Sequence, residues 1–252
     1  MTGSEQTGPT RVVPEAPVPD LAPLAYRAVP VPTRDRPGPW PGVVLVHDAF
    51  GAGDGMHEQA DWLAAAGYVA AMPDLYRGRR AVTCLKGTFA QLKAQPGPAF
   101  DHIEATRAQL VESGDCTGTV GVIGFCMGGA FALLVANRPG WSAPSVTYGS
   151  LPEDLDGALA GACPVVASFG GRDRALPGAA ARVGESAERA GVVADVQEYP
   201  RAAHGFMNRL TAVSPLTTIM RVSGVGYDHA SAAAAKRRIL AFLDTHLRGP
   251  VS

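Results

Sequence analysis

The chain has 252 residues with 46% hydrophobic and 18% charged side chains, and its formal net charge at pH 7 is −1. This balance gives no electrostatic basis for binding nucleic acid or an anionic membrane, and the length suits one α/β domain with a large core. The four cysteines, Cys84, Cys116, Cys126 and Cys163, lack the spacing of a metal site or a disulfide framework. We therefore expect reduced thiols and a cytoplasmic protein.

The first 23 residues predict a flexible, proline-rich leader, because such a polar stretch cannot bury enough apolar surface to fold. They lack the basic and apolar segments of a secretory signal. Residues 24–252 then form the predicted single domain. It begins with residues 24–32, LAYRAVPVP, whose prolines favour a strand at the edge of a sheet.

From residue 43 onward, short apolar runs alternate with stretches of helical periodicity. The predicted strands cover residues 43–47, 68–73, 118–125, 145–149, 163–171 and 193–200, and the predicted helices cover residues 56–67, 99–114, 126–140, 177–191 and 228–247. Residues 77–97 are polar and irregular, and we predict no regular element there. The alternation of strands and helices predicts an α/β fold: a mostly parallel central sheet with helices on both faces.

One uncharged stretch, residues 117–137, approaches the length of a membrane span. Five glycines lie in its first thirteen residues, and Arg138 follows it directly. These features favour a buried strand, turn and helix over a membrane helix. The sequence therefore predicts no membrane partner.

Residues 121–134, GVIGFCMGGAFALL, place Cys126 between a predicted strand and a predicted helix. Gly124 precedes the cysteine by two residues and Gly128 follows it by two, which is the pattern of a nucleophile on a strained turn, with cysteine in the position of serine. The glycines allow strand and helix to approach closely, and the helix N-terminus favours the thiolate. Alternatively, Cys126 is a small buried hydrophobe, as cysteines usually are.

A cysteine nucleophile needs a base and an acid that orients the base. Three histidines follow Cys126, and only His204 lies just after a predicted strand, whereas His229 and His246 belong to the closing helix. Asp173 follows another strand and a Gly-Gly turn, where it could instead cap a turn or helix. The chain order of nucleophile, acid and histidine at three strand ends predicts a triad of Cys126, Asp173 and His204.

The sequence resembles the dienelactone hydrolase family of α/β-hydrolases over roughly residues 40–247. The stretches that carry the resemblance are VVLVHDAFG, GYVAAMPDLY, GVIGFCMGGAFALL, VTYG, SFGGRDRALP and AAHGF. It implies an α/β-hydrolase fold without a large lid domain, and hydrolysis of a lactone, an enol ester or another activated carboxylic ester through an acyl-cysteine. We expect no metal and no cofactor, a small-molecule ester or lactone as partner, and a monomer or homodimer.

The sequence leaves two alternatives open. The first is a broader carboxylesterase or thioesterase that uses the same machinery on other substrates. The second is a non-catalytic α/β-hydrolase-like binding protein, which would have no need of a nucleophile, an acid and a base together.

The resemblance also assigns roles to the residues around the triad. The backbone amides of Ala49 and Met127 are the expected oxyanion hole, since one follows a strand and the other follows the nucleophile. Asp48 stands where the family has a glutamate that contacts the resting thiol, and it is one methylene shorter. The resemblance therefore implies that Asp48 is the acid that contacts Cys126.

The expected substrate-binding residues are less regular. The family uses two arginines for a substrate carboxylate, and here Arg77 and Arg79 flank the first aligned position while Arg209 lies next to the second. Tyr148, in VTYG, is the further expected substrate-binding residue. Residues 209–227 form a long segment before the closing helix, and we expect this segment to shape the mouth of the pocket.

Overall fold

A computed structural model describes residues 10–12, 24–94, 97–209 and 226–249 of the chain. Its strands are β1 (Thr10–Val12), β2 (Leu24–Val29), β3 (Trp40–Val46), β4 (Val69–Pro73), β5 (Cys116–Phe125), β6 (Pro144–Thr147), β7 (Val165–Gly170) and β8 (Ala194–Tyr199). Its helices are α1 (Asp54–Ala65), α2 (Ala81–Ala94), α3 (Pro98–Glu112), α4 (Met127–Leu134), α5 (Leu155–Leu159), α6 (Ala179–Ala190) and α7 (His229–Leu247).

The strands form a single sheet in the order β1-β2-β4-β3-β5-β6-β7-β8. The strands from β4 to β8 in this order run parallel to their neighbours, whereas β2 runs antiparallel to both β1 and β4. The predicted mostly parallel sheet is therefore confirmed. Because parallel strands end at the same edge, the loops after β3, β5, β7 and β8 meet there, which is where α/β proteins place their sites.

The sheet is buried on both faces, and successive residues of its central strands point to opposite sides. Val43 and Leu45 of β3 pack in one apolar cluster with residues of α1 and α7. Val44 and Val46 pack in a second cluster with residues of α2, α3 and α4. The nearly continuous apolar run at residues 43–46 reflects this burial on two sides, and the predicted helices on both faces are confirmed.

The prediction of no regular element at residues 77–97 is wrong, because α2 occupies most of this segment. Cys84 and Thr88, one helical turn apart, are buried. Val82 and Phe89, by contrast, are exposed at 78% and 36%. The apolar side chains of α2 are thus spread over its buried and exposed faces, and this weakens the periodicity from which a helix is predicted.

The amino-terminal strands also differ from the prediction. β2 is not an edge strand, because β1 pairs with it on the side away from β4. β1 lies inside the predicted leader, and the rest of residues 1–23 lies outside the described residues, as do residues 210–225 of the long segment before α7. Within the described ranges, no helix is long and apolar enough to cross a membrane.

Candidate active site

Cys126 stands at the tip of a tight turn between β5 and α4. Its backbone has φ 53° and ψ −114°, in the positive-φ region that residues other than glycine rarely adopt. The amide of Cys126 donates a hydrogen bond to the carbonyl oxygen of Thr147 at 3.0 Å, which ties the turn to β6. A Cβ on Gly124 would overlap the carbonyl oxygen of Gly128, and one on Gly128 would overlap that of Val46. The two glycines therefore permit the turn that presents the thiol.

The structure brings Cys126, His204 and Asp173 together in one hydrogen-bonded line. His204 Nε2 lies 3.1 Å from Cys126 Sγ, and His204 Nδ1 lies 2.6 Å from Asp173 Oδ2. Asp173 is buried, and its other carboxylate oxygen accepts a hydrogen bond from the amide of Ala175 at 3.0 Å. The residues predicted from three separate strand ends thus meet at one edge of the sheet.

The surroundings of His204 favour its protonated form. Burial on its own would lower the pKa of His204, but hydrogen bonds to Asp173 and Cys126, and the charges of both, raise it to about 10. An imidazolium bonded to a sulfur at this distance stabilises a thiolate on that sulfur. The imidazole can therefore hold its proton beside Cys126 Sγ at neutral pH.

The loop after β3 carries Ala49, and a residue that the sequence analysis missed fixes its orientation. His47 Nδ1 lies 2.7 Å from the carbonyl oxygen of Asp48, and the amide of Leu75 donates to His47 Nε2 at 3.3 Å. Burial lowers the pKa of His47, so its ring is neutral and carries the proton on Nδ1. The Asp48 carbonyl and the Ala49 N–H share one trans peptide and point in opposite directions, so His47 sets the direction of that N–H.

Tyr76 provides a second anchor for this loop, since its hydroxyl donates to the carbonyl oxygen of Ala49 at 2.9 Å. Neither the amide of Ala49 nor that of Met127, the first residue of α4, donates a hydrogen bond to another residue that the structure describes. Both amides are thus available to an oxyanion. A polar residue at the end of an apolar run was the only sequence signal for His47.

Asp48 does not make the contact that the resemblance implies. Its Oδ1 accepts from the amide of Phe50 at 2.9 Å and its Oδ2 from Asn208 Nδ2 at 3.2 Å, and no hydrogen bond within the described ranges joins it to Cys126. Burial raises the pKa of Asp48 to about 6, although these two hydrogen bonds and the charge of His204 oppose the rise. The shorter side chain is held by the loop and by the segment after β8.

The expected substrate-binding arginines have different surroundings. Arg77 is bonded to His102 on α3, with its Nε 3.0 Å from His102 Nε2. The Arg209 guanidinium lies over the ring of Tyr227, 4.7 Å from its centre. Arg79 is exposed, and its Nε donates to the carbonyl oxygen of Tyr76 at 3.4 Å. Of the three, only Arg79 forms no hydrogen bond, ion pair or cation–π contact with another side chain among those that the structure describes.

Tyr148 is fully buried and lies against His204 rather than at an open surface. Its ring centre is 5.3 Å from that of His204 and 5.4 Å from that of Phe206. The Tyr148 ring therefore packs against the imidazole, and its expected role in substrate binding stays a prediction.

Across the described ranges, no group of three or more His, Cys, Asp or Glu side chains is arranged to hold a metal ion. All four cysteines are free.

The sequence profile of the Dienelactone hydrolase family matches residues 27–247. The chain belongs to this family. The carboxymethylenebutenolidase of Pseudomonas putida is 29% identical to it over 216 residues, which cover 81% of this chain and 86% of that protein. The carboxymethylenebutenolidase of Pseudomonas knackmussii matches with the same identity and the same coverage.

A solved structure shows the same fold. The dienelactone hydrolase from Anabaena variabilis has a TM-score of 0.66 and 17% sequence identity, and the match covers 96% of this chain and 100% of that one. The predicted α/β-hydrolase fold without a large lid domain is confirmed. Membership of the dienelactone hydrolase family assigns the chain to the carboxylic ester hydrolases.

Proposed function

We propose that the chain hydrolyses a lactone, an enol ester or another activated carboxylic ester through an acyl-cysteine intermediate. The observation that carries this proposal is the line of hydrogen bonds from Asp173 through His204 to Cys126 at the tip of the turn. The names of the relatives, carboxymethylenebutenolidase and dienelactone hydrolase, support a lactone substrate.

In the first half of the reaction, the Cys126 thiolate attacks the acyl carbon and a carbon–sulfur bond forms. The amides of Ala49 and Met127 stabilise the negative carbonyl oxygen. The carbon–oxygen bond of the ester then breaks, and His204 Nε2 gives its proton to the departing oxygen. Asp173 orients the imidazole and stabilises its protonated form throughout.

In the second half, neutral His204 takes a proton from water and the resulting hydroxide attacks the thioester carbon. The carbon–sulfur bond breaks, and the thiolate and imidazolium are restored. A cysteine of this kind favours substrates whose leaving oxygen is already stabilised, such as an enol. We therefore propose activated esters ahead of ordinary alkyl esters.

One observation favours a broader carboxylesterase or thioesterase as the second candidate. Arg77 and Arg209 contact His102 and Tyr227, so two of the three expected arginines are already engaged. A substrate without a carboxylate would therefore lose little binding energy at this site. The four free thiols support the cytoplasm, where thiols stay reduced, as the proposed location.

The test is hydrolysis of p-nitrophenyl acetate by the wild type and by Cys126→Ala, each with and without iodoacetamide. We expect turnover by the wild type, its loss on alkylation and its absence in Cys126→Ala. Cys163→Ala, which removes a thiol outside the site, is the matched control and should keep full turnover. No turnover by the wild type, or turnover that survives in Cys126→Ala, would contradict the proposal. Comparing cis- and trans-dienelactone with nitrophenyl esters then separates the two candidates.

A further inference from the structure

A chain of buried hydrogen bonds connects α1 to the loop after β3 by way of the segment after β8. Gln59 Nε2 donates to Asn208 Oδ1 at 3.1 Å, and Asn208 Nδ2 donates to Asp48 Oδ2 at 3.2 Å. The exposed fractions of Gln59, Asn208 and Asp48 are 3%, 5% and 9%. Polar groups buried this deeply are costly to leave unpaired, so the chain has one preferred arrangement.

The direction of these hydrogen bonds follows from their partners. Gln59 Nε2 also donates to the carbonyl oxygen of Met207 at 2.9 Å, so the amide nitrogen of Gln59 must face the segment after β8. Asn208 then turns its oxygen to Gln59 and its nitrogen to Asp48. With the amide of Phe50 on the other oxygen, Asp48 receives a donor on each carboxylate oxygen, and donors on both oxygens favour the ionised carboxylate.

The titratable groups facing Asp48 come from four segments. His204 follows β8, Tyr76 follows β4, Tyr148 follows β6, and His47 precedes Asp48 in the chain. Burial raises the pKa of both tyrosines and lowers that of His47, so these three groups are neutral near pH 7. Among these groups of the described chain, His204 is then the one that carries a positive charge opposite to the negative charge of Asp48.

We propose that Gln59 and Asn208 are positioning residues for the nucleophile, because their hydrogen bonds keep Asp48 ionised and turned toward Phe50. Cys126 is then left bonded to His204 before any substrate arrives. The negative charge of Asp48 favours the imidazolium, and the imidazolium favours the thiolate. This inference rests on the proposed function of Cys126 as the nucleophile.

The proposal has a consequence for pH dependence. Because the pKa of Asp48 is raised to about 6, its carboxylate is ionised at neutral pH and becomes protonated as the pH falls through that value. Protonation of Asp48 removes the negative charge that stabilises the His204 imidazolium. It also places a proton on a carboxylate oxygen that accepts a hydrogen bond in the ionised form. Thiolate reactivity should therefore fall on the acid side of about pH 6.

The experiment measures the rate at which iodoacetamide alkylates Cys126 as a function of pH, which needs no substrate. In Asn208→Leu, Asp48 loses one donor, and we expect the acid limb of the profile to move up by about one pH unit. Asn208→Asp adds a like charge and should move the limb further. Gln59→Met keeps a similar length without a donor, and should move it in the same direction by less. Asn137→Leu, at an exposed asparagine, is the matched control and should leave the profile unchanged.

A rate that drops equally at every pH, with the acid limb in place, would show that these residues only maintain the structure and would overturn the proposal. An unchanged profile in both Asn208 variants would overturn it as well. If neither Asn208 variant folds, Gln59→Met decides by the same two criteria. Ester turnover by the wild type separates the two proposals: a limb that moves in a protein without esterase activity contradicts the proposed function and leaves the positioning role standing.

Discussion

The loops after β5 and β4 lie at the same edge of the sheet and share an unusual backbone dihedral angle, but they differ in how closely other atoms pack around them. Cys126, after β5, and Arg77, after β4, both have φ 53°. Around Cys126, Gly124 and Gly128 are in contact with backbone atoms of other segments, and neither position has room for a Cβ. Next to Arg77, a Cβ on Gly78 would meet nothing within 4 Å.

The difference shows what holds each conformation in place. The turn at Cys126 is held by packing of strand, helix and neighbouring loop, so the direction of the thiol is fixed by the fold. The loop at Arg77 is held by Asp74, whose carboxylate oxygens accept from the amides of Tyr76 and Gly78. Such local hydrogen bonds fix a backbone without fixing the direction of the arginine side chains. The turn after β5 thus fixes the direction of the Cys126 side chain, whereas the backbone of the loop after β4 does not fix the direction of its arginine side chains.

The largest expected difference between the two loops appears when one methyl group is added to each of them. Gly128→Ala should destabilise the protein by about 4 kcal/mol or more, or prevent folding, because its Cβ overlaps the carbonyl oxygen of Val46. Gly78→Ala is the matched control, and should cost about 1 kcal/mol for its positive φ alone. Urea unfolding of both variants measures the difference, and similar costs would refute the packing argument.

The next effect concerns the line of hydrogen bonds that ends at the thiol. Asp173→Asn puts an amide where His204 Nδ1 now meets a carboxylate at 2.6 Å, and this favours the wrong tautomer of the imidazole. We expect kcat for an activated ester to fall by about 10³- to 10⁴-fold with the fold intact. Asp156→Asn, at an exposed carboxylate paired with Arg189, is the control and should leave kcat unchanged. A fall of less than about tenfold in Asp173→Asn would argue against the triad.

The smallest expected effect concerns Arg77 and Arg79, the two arginines of the loop after β4. Arg79→Ala should raise KM about tenfold for an ester that bears a carboxylate and leave KM for a neutral ester unchanged, because this guanidinium is not paired with another described side chain. Arg77→Ala, whose guanidinium is bonded to His102, should change either KM by less than about twofold. Steady-state kinetics on the two esters decides between them, and the reverse ranking would make Arg77 the carboxylate ligand.

The sequence predicts that Cys126, Asp173 and His204 lie together because each follows a strand whose apolar run is unambiguous. The glycine pattern around Cys126 is readable because it reflects contacts of the backbone itself. The sequence does not predict the partners of Asp48. Asn208 is 160 positions away from Asp48 in the chain. Gln59 lies on the buried face of α1, and its contribution to this chain of hydrogen bonds is the donor Nε2. Contacts between side chains of distant segments leave no spacing that a single sequence can show.

α2 shows a second limit of prediction from sequence. A helix whose apolar residues lie on both its buried and its exposed face has no clear period, so its formation depends on packing against α3 and α4. The placement of Tyr148 is hard to predict from sequence for a related reason. The sequence shows that it follows β6, but its depth beneath His204 depends on Phe206 and on the segment after β8.

The turn at Cys126 also separates the shape of the backbone from the identity of the atom that the turn presents. Gly124 and Gly128 provide the space, and the residue between them contributes only the atom at the tip. A single nucleotide change converts a cysteine codon to a serine codon, and the new hydroxyl would stand at the same tip of the turn, facing the same imidazole. Such a change would exchange sulfur for oxygen at the tip and leave untouched the glycines that shape the turn.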